Sequence, residues 1–183
     1  MPSDPASVKI VVSGGFGVGK TTLISSISEI PPVHTEEVMT EASEGIDPAP
    51  VEGKTTTTVA FDFGRLTLAE DFQLFLFGTP GQGRFWFMWD DVCRGALGAL
   101  VLADTNRITD AFPVIDYFER ETDMPFAVAV NWWNGEQTHD LAEVRQALAL
   151  SDRIPLFPVD ARDKLSVNVA LQELMGYAIK SVS

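Results

Sequence analysis

Hydrophobic positions along this chain fall in short continuous runs more than in alternation. Val8-Lys9-Ile10-Val11-Val12, Ala96 to Ala103 and Phe126-Ala127-Val128-Ala129-Val130 are apolar almost throughout, the mark of strands buried on both faces of a sheet. Thr58 to Leu68 and Phe72 to Phe77 predict two more strands around the tight turn Ala69-Glu70-Asp71, an antiparallel hairpin at one edge. Pro155-Leu156-Phe157-Pro158-Val159 predicts a last short strand. Helical signals lie between these runs. Thr22 to Ile27 opens one helix and Thr109 to Glu121 reads as another. Asp140-Leu141-Ala142-Glu143 resembles a capping box that starts a helix reaching Leu150. Val167, Leu171, Leu174, Ala178 and Val182 recur at helical spacing on a closing amphipathic helix. From Pro31 to Thr57 periodicity gives way to prolines and acidic residues, which predicts a long lid-like loop; a short helix around Thr35 to Ser43 is its one regular option. The expected fold is α/β: a six-stranded, mostly parallel sheet with one antiparallel edge strand and about five helices, in a single domain over residues 1–183.

Charge narrows the function classes. With 26 acidic and 13 basic side chains the formal net charge is −13, which argues against a nucleic-acid binder and against adhesion to anionic membranes. Cys93 is the sole cysteine, so there is no disulfide; it reads as a small buried hydrophobe rather than a redox thiol. His34 and His139 have no ligand spacing and read as exposed loop residues. No apolar run approaches the length of a membrane span, and neither terminus carries a signal-peptide or lipidation pattern. The expectation is a cytoplasmic protein without a direct membrane anchor, recruited to a membrane only through a partner.

One segment carries definite chemistry. Gly14-Gly15-Phe16-Gly17-Val18-Gly19-Lys20-Thr21 fits G-x-x-x-x-G-K-[ST] and lies between a predicted strand and a predicted helix, the order a phosphate-binding loop requires. Glycines let successive N–H groups curl inward around a phosphate, and the helix N-terminus adds partial positive charge. Lys20 is placed to reach the β- and γ-phosphates, the Thr21 hydroxyl to ligate Mg²⁺, and Thr22 to open the helix behind them.

The layout and motifs resemble the Ras-like small GTPases across most of the chain. Thr58-Val59-Ala60-Phe61-Asp62-Phe63 looks like the first switch, where Thr58, chosen over Thr55 to Thr57 by its spacing to Asp62, would ligate Mg²⁺ and sense the γ-phosphate. Gly78-Thr79-Pro80-Gly81-Gln82 looks like the second switch: the Gly81 N–H would bond the γ-phosphate and Gln82 would orient the attacking water. The family has an Asp where this chain has Gly78, which directs attention to Asp104, and after it Asp62, as a substitute. The bacterial gliding-motility GTPases also lack that Asp. The actinobacterial conservon GTPases look closer still, through the threonine run, Gly78 to Gln82 and Arg84-Phe85-Trp86-Phe87. At the base site Asn131-Trp132-Trp133-Asn134 stands where the family has N-K-x-D, so Asn131 fits and Asn134 replaces the Asp. Asn134 would weaken guanine selectivity, since an amide opposes one donor with another. Asp160-Ala161-Arg162 occupies the place of the S-A-K loop, where the Ala161 N–H would meet the guanine carbonyl.

These features imply GTP/GDP and Mg²⁺ as cofactors and slow hydrolysis, with Gln82, Lys20 and Thr58 in catalytic roles. The aromatic run Phe85-Trp86-Phe87-Met88-Trp89 cannot all hide on one helix face, and the resemblance implies a Roadblock/LC7-type partner for what stays exposed. Two other readings stand beside this one: a nucleotide-gated interaction module with negligible catalysis, and an ATP-binding P-loop protein.

Overall fold

The computed structural model describes residues 6–31, 33–39, 57–81, 83–132, 136 and 139–182. Their strands form one sheet. β1 (Ala6–Gly14), β2 (Val33–Met39), β3 (Thr57–Ala69), β4 (Phe72–Gly78), β5 (Gly98–Ala103), β6 (Phe126–Asn131) and β7 (Leu156–Val159) are ordered β2-β3-β4-β1-β5-β6-β7. β3 runs antiparallel to both β2 and β4, and every other neighbouring pair is parallel.

The α/β class stands as expected, with a difference at one edge. The sheet has seven strands, because Val33–Met39, inside the stretch read as a lid, pairs along β3 from Val33 opposite Phe63 to Met39 opposite Thr57. The described part of the Thr35–Ser43 helix option is therefore strand, and His34 sits in a strand rather than a loop. The hairpin of β3 and β4 forms as predicted but is interior, since β2 covers its outer side. β2 lacks an apolar period; its backbone is ordered by pairing with β3, whose N–H and C=O groups would otherwise be left as an open edge.

Helices cover both faces. α1 (Lys20–Ile27) and α5 (Lys164–Val182) lie on one, and α2 (Trp89–Cys93), α3 (Phe112–Arg120) and α4 (Leu141–Ala147) on the other. Short 3-10 helices over Gly83–Met88 and Thr105–Ala111 lead into α2 and α3. Side chains in a strand alternate between faces, and the apolar runs divide accordingly. Ile10, Val12, Leu100, Leu102, Ala127 and Ala129 join Leu23, Ile27, Val167, Leu171 and Leu174. Val11, Ala99, Val101, Val128 and Val130 join Trp89, Ile115, Phe118 and Val144. Both cores are fully buried, which explains the continuous apolar runs. Asp140 forms the expected capping box, its carboxylate accepting from Ala142 N–H and its own N–H donating to Glu143. Cys93 packs half-buried against the second core, and burial pushes its thiol up to about 11.

Chain order reverses at β1, which has β4 on one side and β5 on the other. The crevice beyond the carboxyl ends of the strands at such a switch point is where ligands bind in open α/β sheets. No described helix is long and apolar enough to cross a membrane.

Candidate nucleotide site

The loop from Gly14 to Lys20 fills that crevice. Gly14, Gly17 and Gly19 have φ of 141°, 70° and 110°, values that side chains disfavour. A Cβ on Gly14 would lie 2.6 Å from Leu102 O, and one on Gly19 would lie 2.7 Å from Asn131 Nδ2. Gly19 leads into α1 without a side-chain cap, so the first turn presents backbone N–H groups and the positive end of the helix dipole to the loop. Lys20 is buried and folds back, its ammonium donating to Gly14 O at 2.8 Å and Gly15 O at 2.7 Å. Burial lowers its pKa to about 8, against a smaller opposing pull from Asp62. Phe16 is 65% exposed at the tip, Val18 is buried in the first core, and Thr22 is exposed on α1.

Two loops approach from the β4 side. Thr21 Oγ1 donates to Asp62 Oδ2 at 2.6 Å, so the acid beside Thr21 comes from β3. Asp104, the substitute favoured on sequence, is committed elsewhere: its carboxylate accepts from Asn106 N–H at 2.9 Å and pairs with Arg107 at 3.6 Å. After β4, Thr79 N–H donates to Val12 O, and its hydroxyl pairs with that of Ser13 at 2.9 Å. These bonds hold the following turn against β1. A Cβ on Gly81 would lie 2.8 Å from Lys20 Nζ and 2.9 Å from Phe16 Cα, so Gly81 is seated on the loop. Gln82 lies outside the described residues. Thr58 is placed in β3 opposite Val38, and its side chain lies outside the description.

Beyond Gly81 the aromatic run splits as its crowding requires. Trp89 is 1% exposed, edge-on to Tyr117, and its indole N–H donates to Pro80 O at 3.3 Å. Trp86 and Phe87 are 39% and 62% exposed. A cleft of about 300 Å³ between this run and the loop is lined by Gly15, Phe16, Gly81, Trp86, Trp89 and Asp110, among others.

On the β6 side Asn131 ties three segments together. Its Nδ2 donates to Val18 O at 2.9 Å and its Oδ1 accepts from Ala161 N–H at 3.1 Å. The Ala161 amide, expected to face a base carbonyl, thus braces Asn131 in this structure. Arg162 folds onto Asp160 through its backbone and guanidinium, which holds the Asp160 carboxyl below its usual range. Trp132 packs half-buried against the second core; Asn134 lies outside the described residues.

The family described as "Conserved hypothetical ATP binding protein" matches residues 12–180, the span that holds every residue above. This chain belongs to that family. A relative from Methanocaldococcus jannaschii, "Uncharacterized protein MJ1339", is 35% identical over 125 residues, 68% of this chain and 69% of its own. Membership makes the chain a P-loop nucleotide-binding protein. The family description names ATP, so it supports the ATP-binding alternative more directly than the guanine specificity, the Ras-like branch or the Roadblock partner that the motifs implied.

Two residues beside the loop of this family member escaped the motifs. Arg107 brings its guanidinium within 3.4 Å of where a Gly17 Cβ would sit, and Asp110 lies 2.7 Å from where a Gly15 Cβ would; the two pair at 3.9 Å. Their one signal in the sequence is position, just past the carboxyl end of β5.

Proposed function

We propose that the protein is a nucleoside-triphosphate switch: the Gly14–Thr21 loop holds the phosphates, and the nucleotide's state sets the position of the Gly78–Trp89 segment and its exposed aromatics. One observation carries this reading. Gly81 rests on the Lys20 ammonium and the Phe16 backbone, so a γ-phosphate arriving beside Lys20 meets the same segment that exposes Trp86 and Phe87. The phosphate replaces the Gly14 and Gly15 carbonyls as the ammonium's partner and stabilises the charge that burial disfavours. Thr21 and Thr58 would hold Mg²⁺, whose positive charge would offset that of the phosphates. Gln82 would orient water, and the slow turnover of such proteins is raised when a stabilising Arg is supplied from elsewhere.

ATP is the first ligand to test, on the family description. GTP is the second reading, supported by the Ras-like resemblance at Asn131 and Asp160-Ala161-Arg162, which lie together beside the phosphate loop. Under that reading the exposed Trp86 and Phe87 are the docking surface for a Roadblock/LC7-type protein. Competition of ATP, GTP and their diphosphates against a fluorescent nucleotide decides the base; a strong GDP preference at low micromolar affinity would reject adenine. Single-turnover hydrolysis of the preferred triphosphate follows. Lys20→Ala abolishes binding and Gln82→Leu keeps binding but stops turnover. Lys20→Ala binding like wild type would overturn the proposal, whereas unaltered hydrolysis by Gln82→Leu removes only the Gln82 role. A wild-type protein that binds without hydrolysing is the nucleotide-gated module.

A further inference from the structure

We infer that Asp62, acting from β3 through the Thr21 hydroxyl, is the carboxylate that orients the hydrated divalent cation at the phosphate site, in the space that Gly78 leaves open. This rests on the nucleotide reading above and adds to it a residue that neither the P-loop motif nor the family match assigns.

The register of the hairpin supplies the geometry. Phe63 lies opposite Phe77, so Asp62 and Gly78 are the next residues along β3 and β4. Directly opposed residues of an antiparallel pair point to the same face with Cβ atoms about 5 Å apart. A Cβ built on Gly78 would lie 3.0 Å from Asp62 Cβ, 3.3 Å from its Oδ2 and 3.3 Å from Ile24 Cδ1. The Asp62 side chain therefore occupies the volume that an acid at position 78 would need. Two carboxylates cannot share that volume, and glycine at 78 is what admits the one from β3.

The Asp62 carboxylate ends on the atom that matters. Thr21 Oγ1 donates to Oδ2 at 2.6 Å, a short charge-assisted bond that fixes the hydroxyl's orientation. Its charge also reaches Lys20, where it opposes the effect of burial. The donor set is a hydroxyl and a carboxylate, both hard oxygens, which suits Mg²⁺, an ion that keeps several waters and takes one or two carboxylates beside phosphate oxygens. Among the described residues no group of three or more His, Cys, Asp or Glu is arranged to hold a metal by itself. The cation at this site would depend on the nucleotide for most of its ligands, with Asp62 as a positioning residue. Because Asp62 and Thr58 share β3, metal and first switch would be tied to the same strand.

The test uses the full chain, Mn²⁺ as the probe, and ADP or GDP, whichever the wild type binds more tightly. Free Mn²⁺ is read by electron paramagnetic resonance, and release of the fluorescent diphosphate is followed with Mg²⁺ and with EDTA. Asp62→Asn should weaken Mn²⁺ binding by about tenfold to a hundredfold, as loss of an outer-sphere partner does, and leave release in EDTA unchanged. The exchange D62A/G78D, which removes the clash while moving the acid to β4, should recover Mn²⁺ binding. Wild-type Mn²⁺ affinity in a folded D62N variant overturns the assignment, as does its loss in D104N instead. If D62N does not fold by circular dichroism, the exchange variant decides: Mn²⁺ binding supports the assignment, and a folded exchange variant without it overturns it. A wild type that binds nucleotide but shows no effect of Mg²⁺ on release also overturns it, whereas a wild type that binds no nucleotide overturns the proposed function itself.

Discussion

Replacing Asn131 with alanine isolates the joint between the phosphate loop and the β7 side of the site. The side chain is 4% exposed, donates to Val18 O at 2.9 Å and accepts from Ala161 N–H at 3.1 Å. Val18 and Ala161 are themselves 3% and 2% exposed, so water does not reach the groups left behind without entering a new cavity. Each buried polar group left unpaired costs about 1–3 kcal/mol. Asn131→Ala should therefore destabilise by about 2–5 kcal/mol, the lower end applying where a water enters. For a chain of this size that lowers Tm by about 5–15 °C. Urea unfolding at constant m-value measures the loss directly. Asn131→Asp keeps the acceptor for Ala161 but turns a carboxylate oxygen toward the Val18 carbonyl. It should be the more damaging change at neutral pH and recover on acidification, as a protonated carboxyl can again donate. An Asn131→Ala variant within about 0.5 kcal/mol of wild type, the range of an ordinary surface change, would refute the joint.

Gly19→Ala forces a side chain onto φ of 110° and into contact with Asn131 Nδ2; it should cost about 2 kcal/mol or more and remove nucleotide binding, read by melting and fluorescence titration. Lys20, lowered to about 8 by burial, takes up a proton when a triphosphate binds, so affinity should fall as pH rises above about 8, with uptake measured by calorimetry in buffers of different ionisation enthalpy. In the free protein the same shift means the unfolded chain binds more protons between about pH 8 and the ordinary lysine value. Stability should therefore rise with pH across that window, and the rise should vanish in Lys20→Met. Trp89→Ala, at 1% exposure, should cost about 3–5 kcal/mol, whereas Phe87→Ser, at 62% exposure, should stay within about 0.5 kcal/mol on chemical denaturation.

The phosphate loop, the runs of β1, β5 and β6, and the capping box of α4 were legible from residue order, because each is contiguous and its physics is local. Glycines at 14, 17 and 19 permit the positive φ that the loop adopts, and the apolar runs are buried because sheet neighbours and helices cover both their faces. Asn131 stood out only through its likeness to the first position of N-K-x-D, and it lies at the end of β6, bonded to Val18 and Ala161. What stayed hidden depended on a neighbour distant in sequence. Val33–Met39 has no strand period and becomes one because β3 offers it a ladder. Its place at the end of a buried strand favoured Asp104 over Asp62 as the stand-in acid, whereas the β3–β4 register sets Asp62 beside Gly78 and Thr21. The Ala161 amide looked free for a base until Asn131 was seen to occupy it. Order along the chain determined which backbone could curl inward on itself; tertiary structure alone decided which side chains stand beside that loop, since a strand's register sets partners across the sheet that no local pattern encodes.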